Sequence, residues 1–252
     1  MKYATLFIVF LLICFILVTP VHSYTVPVKR LLAEKIINEL PYEWSYSINS
    51  YLGEISRGIQ ESKDVLELYY IPENNTGNLL EFAVNSYNSF TKKLDEGSIK
   101  EANYELGKFI SYLVDLSNPF RIGKDWNNTL ALKFEALILG SDVEKLKIDK
   151  NYTVGSIEDE LVKLALFAKS KIKELNITNI EKSQRDSSYE KVVNDLLQYV
   201  INLAYSLTLK AIEKHKSNVS FVNLIYILVF AIIISALVYY INKERIGKIL
   251  KK

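Results

Sequence analysis

The sequence predicts an all-α fold, a compact multi-helix bundle with one further, strongly apolar helix at its C-terminal end. Three observations carry this. Apolar residues recur at helical spacing through almost the whole chain, alternating strand patterns are nearly absent, and residues 217 to 242 contain no charge at all.

Four segments are expected: an export signal at 1–23, an extracytoplasmic helical domain at 24–217, a transmembrane helix at 218–242 and a basic cytoplasmic tail at 243–252. Lys2 is the only charge before Lys29, and an apolar stretch runs from Ala4 to Val18. Val21-His22-Ser23 then ends on a small residue, as a cleavage site does. An uncleaved signal anchor is the alternative. A lipoprotein reading of Cys14 is disfavoured by the bulky Ile13 before it.

Within the domain, Leu31, Leu32, Ile36, Ile37 and Leu40 fall on one helical face. Leu79, Leu80, Phe82, Ala83, Tyr87 and Phe90 make the next, between Gly77-Asn78 and Gly97. Ser98 is expected to cap the following helix, with Glu101 completing a capping box. That helix turns Ala102, Leu106, Phe109, Ile110 and Leu113 inward and ends at Asn118-Pro119. A helix from Asn128 to Leu139 stops at Gly140, and another from Ser156 to Leu175 opens on an acid-rich turn. The last runs from about Ser187 to Lys216 and is expected to lead into the apolar run.

The Phe221-to-Ile241 core of that run matches the about 20 residues that cross a bilayer as a helix. Tyr239 and Tyr240 stand near its end, followed by Lys243, Arg245, Lys248, Lys251 and Lys252. This basic tail is denser than Lys210, Lys214 and Lys216 on the other flank, which predicts a single pass with the tail inside and the domain outside. The other reading of the run is a helix buried in a soluble fold.

Composition excludes several kinds of chemistry. The chain of 252 residues has one Cys and two His, and its mature domain keeps only His215. Disulfides, cysteine nucleophiles and Cys/His zinc sites are excluded, as are most Ser-His-Asp arrangements. The span 24–217 holds 25 basic and 28 acidic residues, interspersed, with no basic patch to suggest nucleic acid. Five Asn-x-Ser/Thr triplets, at Asn74, Asn127, Asn151, Asn176 and Asn218, are acceptors for glycosylation in an exported domain. Tyr42, Tyr46, Tyr51, Tyr69 and Tyr70 cluster early; core packing is expected for most of them, an exposed interface being the alternative.

The stretch from Ala102 to Glu135 carries the one recognisable constellation. It combines Leu106-Gly107, Tyr112, Asp115 and Pro119 with Phe134 and Glu135. Positions 111 and 115 share a helix face, as do 131 and 135 on the next helix, and the Pro turn brings position 121 back toward them. Facing pairs of this kind build metal sites in helical bundles. The pattern resembles the zinc-dependent phospholipase C and single-strand nuclease superfamily, in which a run H-Y-x-x-D-x-x-x-P-x-H is followed on a later helix by H-x-x-[FY]-E. The resemblance implies that family's all-α fold. It also implies, for complete members, a cluster of three zinc ions that cleaves phosphodiesters.

All three family histidines of these runs are replaced, by Ser111, Arg121 and Ala131, while the acids Asp115 and Glu135 persist. The N-terminal Trp that the family uses as a ligand has no aligned counterpart, Trp44 lying well inside the mature chain. Zinc clusters need nitrogen or sulfur donors in number, so no catalytic residue, cofactor or metal is expected. The remaining possibility for an ion is a divalent cation at Asp115 and Glu135. The permanent charge of Arg121 is expected to pair with one of these acids in place of a cation.

Three functional readings follow. The leading one is a membrane-anchored, outward-facing and catalytically inactive relative of that superfamily, a pseudoenzyme binding a surface protein or an envelope glycan. The alternative is a phosphoesterase that holds Mg²⁺ or Ca²⁺ through Asp115 and Glu135, with Asp125 or Asp142 converging on them. The third is a structural envelope protein whose likeness to the family is a coincidence of helix packing.

Overall fold

The computed structural model describes residues 26–62, 68–175 and 187–249; side chains are described in the last segment for 189–216, 228–230, 232 and 233. The expected signal at 1–23 and the Asn176 triplet lie outside the described residues. Helices α1 (Val26–Glu39), α2 (Tyr42–Asn49), α3 (Leu52–Glu61), α4 (Asn78–Asp95) and α5 (Ile99–Leu116) come first. They are followed by α6 (Asn128–Ile138), α7 (Ile157–Lys171) and α8 (Ser187–Ile249). Short 3-10 turns stand at Pro119–Arg121, Val143–Lys145 and Ile172–Glu174. Among the described residues the fold is all-α, and extended pairing is confined to two isolated bridges, Tyr70 with Ile122 and Ile71 with Thr76.

Helix α5 is the axis of the bundle. From Phe109 to Leu116 every side chain is buried, and its most extensive packing is against α4 and α3. The α3–α5 crossing depends on two glycines. A Cβ on Gly58 would stand 2.0 Å from the Tyr104 carbonyl oxygen, and one on Gly107 would stand 2.2 Å from that of Ile55. The two backbones therefore touch, which only residues without a side chain permit. One helical turn beyond each glycine comes a serine, Ser62 after α3 and Ser111 in α5, and the crossing brings their hydroxyls to 2.6 Å.

The α4–α5 corner follows from Gly97, whose φ of 73° is left-handed. Ser98 N–H donates to the Lys93 carbonyl and Gly97 N–H to that of Leu94, the paired bonds of a Schellman ending. This corrects the expected capping box. Ser98 has ψ 67° rather than an extended value, and its side chain makes no capping bond. Ser156, at ψ 150°, does cap α7 by accepting from Asp159 N–H at 3.2 Å. Helices α2 and α3 were not foreseen, because Gly53, Gly58 and a run of polar residues interrupt their apolar spacing.

Helix α8 is continuous from Ser187 to Ile249, with no Pro and no Gly before Gly247. Its first half buries Val192, Leu196, Val200, Leu203, Leu207 and Ala211 against the bundle. Among the described residues no helix is long and apolar enough to cross a membrane; most side chains of the 218–242 run lie outside them. Those of the run that are described, Leu228, Val229, Phe230, Ile232 and Ile233, are all exposed.

The crossing sets a prediction. Gly107→Ala forces a methyl group into the Ile55 carbonyl, so the full chain in mild detergent loses about 3 kcal/mol of unfolding free energy. Gly53→Ala, at a position open to solvent, serves as the control and changes it little.

Candidate functional site

The positions singled out by the motif lie at the C-terminal half of α5, the 3-10 turn after it, and α6. Asp115 is 5% exposed, and the ammonium of Lys29, 1% exposed, donates to both of its carboxylate oxygens at 2.9 and 3.0 Å. The same ammonium donates to Ser111 Oγ at 2.9 Å. Ser62 Oγ lies 2.6 Å from Ser111 Oγ and donates to the Ile59 carbonyl at 2.8 Å. Lys29 reaches this site because α1 buries Val28, Lys29, Leu32, Ala33, Ile36 and Ile37 on one face.

The second pair forms across the turn. Arg121 Nη2 donates to Glu135 Oε1 at 2.7 Å, and Nη1 donates to the Leu68 carbonyl at 3.1 Å. Arg121 is 8% and Glu135 2% exposed. The turn is held by its own sequence: Asn118 Oδ1 accepts from Phe120 N–H, and Asn118 Nδ2 donates to the Ala131 carbonyl at 3.0 Å. Tyr70 N–H donates to the Arg121 carbonyl and Gly123 N–H to that of Tyr70, so residues 68–71 run along the turn. Arg121 therefore pairs with Glu135, one of the two acids the sequence offered it, while Asp115 takes a cation from elsewhere.

These residues do not fit a zinc cluster. Each acid is already neutralised by a buried cation, Ser111 is engaged by Lys29, and Ala131 has no donor atom. Asp125 and Asp142 are exposed, Asp142 pairing with Lys145 at 3.2 Å. Among the described residues no group of three or more His, Cys, Asp or Glu is placed to hold a metal ion. The arrangement is no Ser-Lys nucleophile either. Ser111 is fully buried, and Lys29 Nζ is engaged by both carboxylate oxygens of Asp115.

A surface cavity of about 220 Å³ is lined by Tyr70, Asn75, Gly77, Leu80, Glu81, Val84 and Asn85, and includes neither acid. It is smaller than the roughly 300–1,000 Å³ of small-molecule sites. Trp44 is far from a ligand role: it sits on α2 with its ring edge-on to His215, centroids 5.7 Å apart. The tyrosines divide against expectation. Tyr70 is core, but Tyr42 is 85% and Tyr46 70% exposed, and Tyr51 is exposed too. Helix α2 is too short and polar to bury both faces.

Lys29 and Ser62 were not anticipated. The signal for Lys29 was a charge in register with Leu32, Ala33 and Ile36 on the apolar face of α1, where a polar residue has no place without a buried partner. Of the acceptor triplets, Asn74 and Asn151 are exposed, whereas Asn127 uses its side-chain oxygen to cap α6 by accepting from Leu130 N–H.

Comparison with models of known families finds none that matches this chain, and no curated protein matches it either.

Tyr112, next to Ser111, has its phenol pushed up to about 12, first by burial and then by the Asp115 charge. Burial likewise raises Tyr87 to about 12. Both folded and unfolded chains keep these protons below pH 10, so the contribution is whole there. It is lost between pH 10 and about 12, where only the unfolded chain ionises. Stability is expected to fall steeply over that window, and Tyr87→Phe/Tyr112→Phe is expected to flatten the fall in unfolding measurements.

Proposed function

We propose that the chain is a membrane-anchored, outward-facing helical domain that resembles the zinc-dependent phospholipase C and nuclease superfamily without its chemistry, and that it acts by binding at the cell surface. The observation that carries this reading is the charge balance in the core. Where the resemblance implies metal ligands, Lys29 neutralises Asp115 and Arg121 neutralises Glu135, each pair buried and hydrogen-bonded. Cations of the protein's own thus stand beside the two acids that persist. What is left for function is the surface, and an exported domain of this kind would meet a surface protein or an envelope glycan there.

Anchoring is supported by the apolar run and by its exposed side chains. Leu228, Val229, Phe230, Ile232 and Ile233 point around the helix in several directions, all of them exposed. An apolar surface of that extent needs a covering, and the length of the run suits a bilayer. The Lys and Arg residues of 243–252 favour the tail inside.

The test is metal content of the full chain purified in mild detergent, by elemental mass spectrometry after dialysis against mixed divalent ions. No stoichiometric metal is expected, and no hydrolysis of a bis-aryl phosphodiester. A stoichiometric ion that is lost in Asp115→Ala/Glu135→Ala would overturn the reading in favour of a carboxylate-bound metal phosphoesterase.

A further inference from the structure

Helix α2 holds the most exposed aromatic surface among the described side chains, and its position in the fold says what covers it. Tyr42 and Tyr46, one turn apart on the same face, stack at a centroid distance of 6.5 Å and turn outward. The other side of α2 is fixed to α8 at the point where the apolar run begins. Glu43 pairs with Lys216 at 2.8 Å, and the Trp44 ring packs on that of His215. The next residue, Ser217, opens the uncharged stretch.

At 1.5 Å of rise per residue, Phe221 lies only about 7 Å further along α8 than Lys216. A headgroup layer is about 5–8 Å deep on each side of the hydrocarbon core. Lys216 therefore stands about a headgroup depth from the hydrocarbon if the run from Phe221 enters it, and Glu43 holds α2 beside it. Tyr suits that layer because its ring is apolar and its tip hydrogen-bonds. The one charge of α2, Glu43, is paired with Lys216, so laying α2 on a zwitterionic surface desolvates no unpaired charge of this helix. The helix that joins domain to anchor has no Pro or Gly between Ser187 and Arg245, so no hinge lifts α2 away.

We propose that α2 is a membrane-resting foot, in which Tyr42 and Tyr46 sit in the phospholipid headgroup layer beside the anchor and fix the tilt of the domain against the bilayer. This rests on the membrane-anchored reading above. It adds that the domain lies against the surface instead of standing clear of it.

The test uses the full chain with Cys14→Ser, reconstituted in phosphatidylcholine nanodiscs, with a single nitroxide introduced at Ser50→Cys, Leu228→Cys or Glu190→Cys, the last at the far end of α8. Power saturation by oxygen and by a water-soluble nickel chelate reports the depth of each. The expected result is hydrocarbon depth at 228, headgroup depth at 50 and bulk water at 190. In Tyr42→Ala/Tyr46→Ala, the rigid domain is expected to tilt about its anchor, moving the label at 50 toward water while that at 228 stays in the hydrocarbon; an unchanged depth at 50 would overturn the role of the tyrosines. Hydrocarbon depth at 228 with bulk water at 50 would overturn the foot alone. Water at 228 would overturn the anchored reading and the foot with it. Dipolar broadening between labels at 50 would show a second copy of the chain on α2, and would overturn the lipid contact.

Discussion

The contact between Lys29 and Asp115 is the constraint around which the rest of the bundle is arranged. An ammonium and a carboxylate stripped of water are tolerable only as a close, fully hydrogen-bonded pair. That requires α1 to lie along α5 with Lys29 facing inward, and it requires a further acceptor for the ammonium. Ser111 supplies the acceptor. Such a pair adds little stability over apolar side chains of the same volume, but it penalises every packing that separates its members. It therefore selects one register of α1 on α5.

The α3–α5 crossing makes this possible. Gly58 and Gly107 let the two backbones touch, and the serines one turn on, Ser62 and Ser111, meet because of it. A looser crossing would leave the Ser111 hydroxyl without Ser62 and would open the Lys29 site to water. The Arg121–Glu135 pair is a second buried ion pair further along the chain, less completely bonded, since Arg121 Nε has no partner among the described residues. There the Asn118-Pro119 turn, tied to α6 through the Ala131 carbonyl, carries the guanidinium to its carboxylate. Asp115, Arg121 and Glu135 are among the positions that the sequence pattern singled out; Lys29 is not. Two internal cations beside two acids leave this part of the core without net charge.

How much of this was legible in the sequence depended on its range of action. Helices with long apolar periods, such as Leu79 to Phe90 and Ala102 to Leu113, were readable because a buried stripe repeats locally. The Arg121 pairing was expected because an arginine stands where the resemblance implies a metal ligand; both Asp115 and Glu135 were open as partners, and the fold selects Glu135. Lys29 was not, since its partner is 86 residues away and only the packing of α1 on α5 brings them together. Helices α2 and α3 were hidden because α3 is held by a glycine crossing on α5, and α2 by packing on α1 with side-chain contacts to α8. The exposure of Tyr42 and Tyr46 follows from that same docking of α2, so composition alone pointed the wrong way.

The most direct measurement is a double-mutant cycle on the Lys29–Asp115 pair, read as unfolding free energy of the full chain in mild detergent. Lys29→Met and Asp115→Leu are each expected to cost about 3–5 kcal/mol, because each leaves one buried charge unpaired. The double variant is expected to be markedly more stable than either single one, since it leaves no charge behind. If the losses simply add, the two groups are independent, and a charge-balanced core is not what organises this fold.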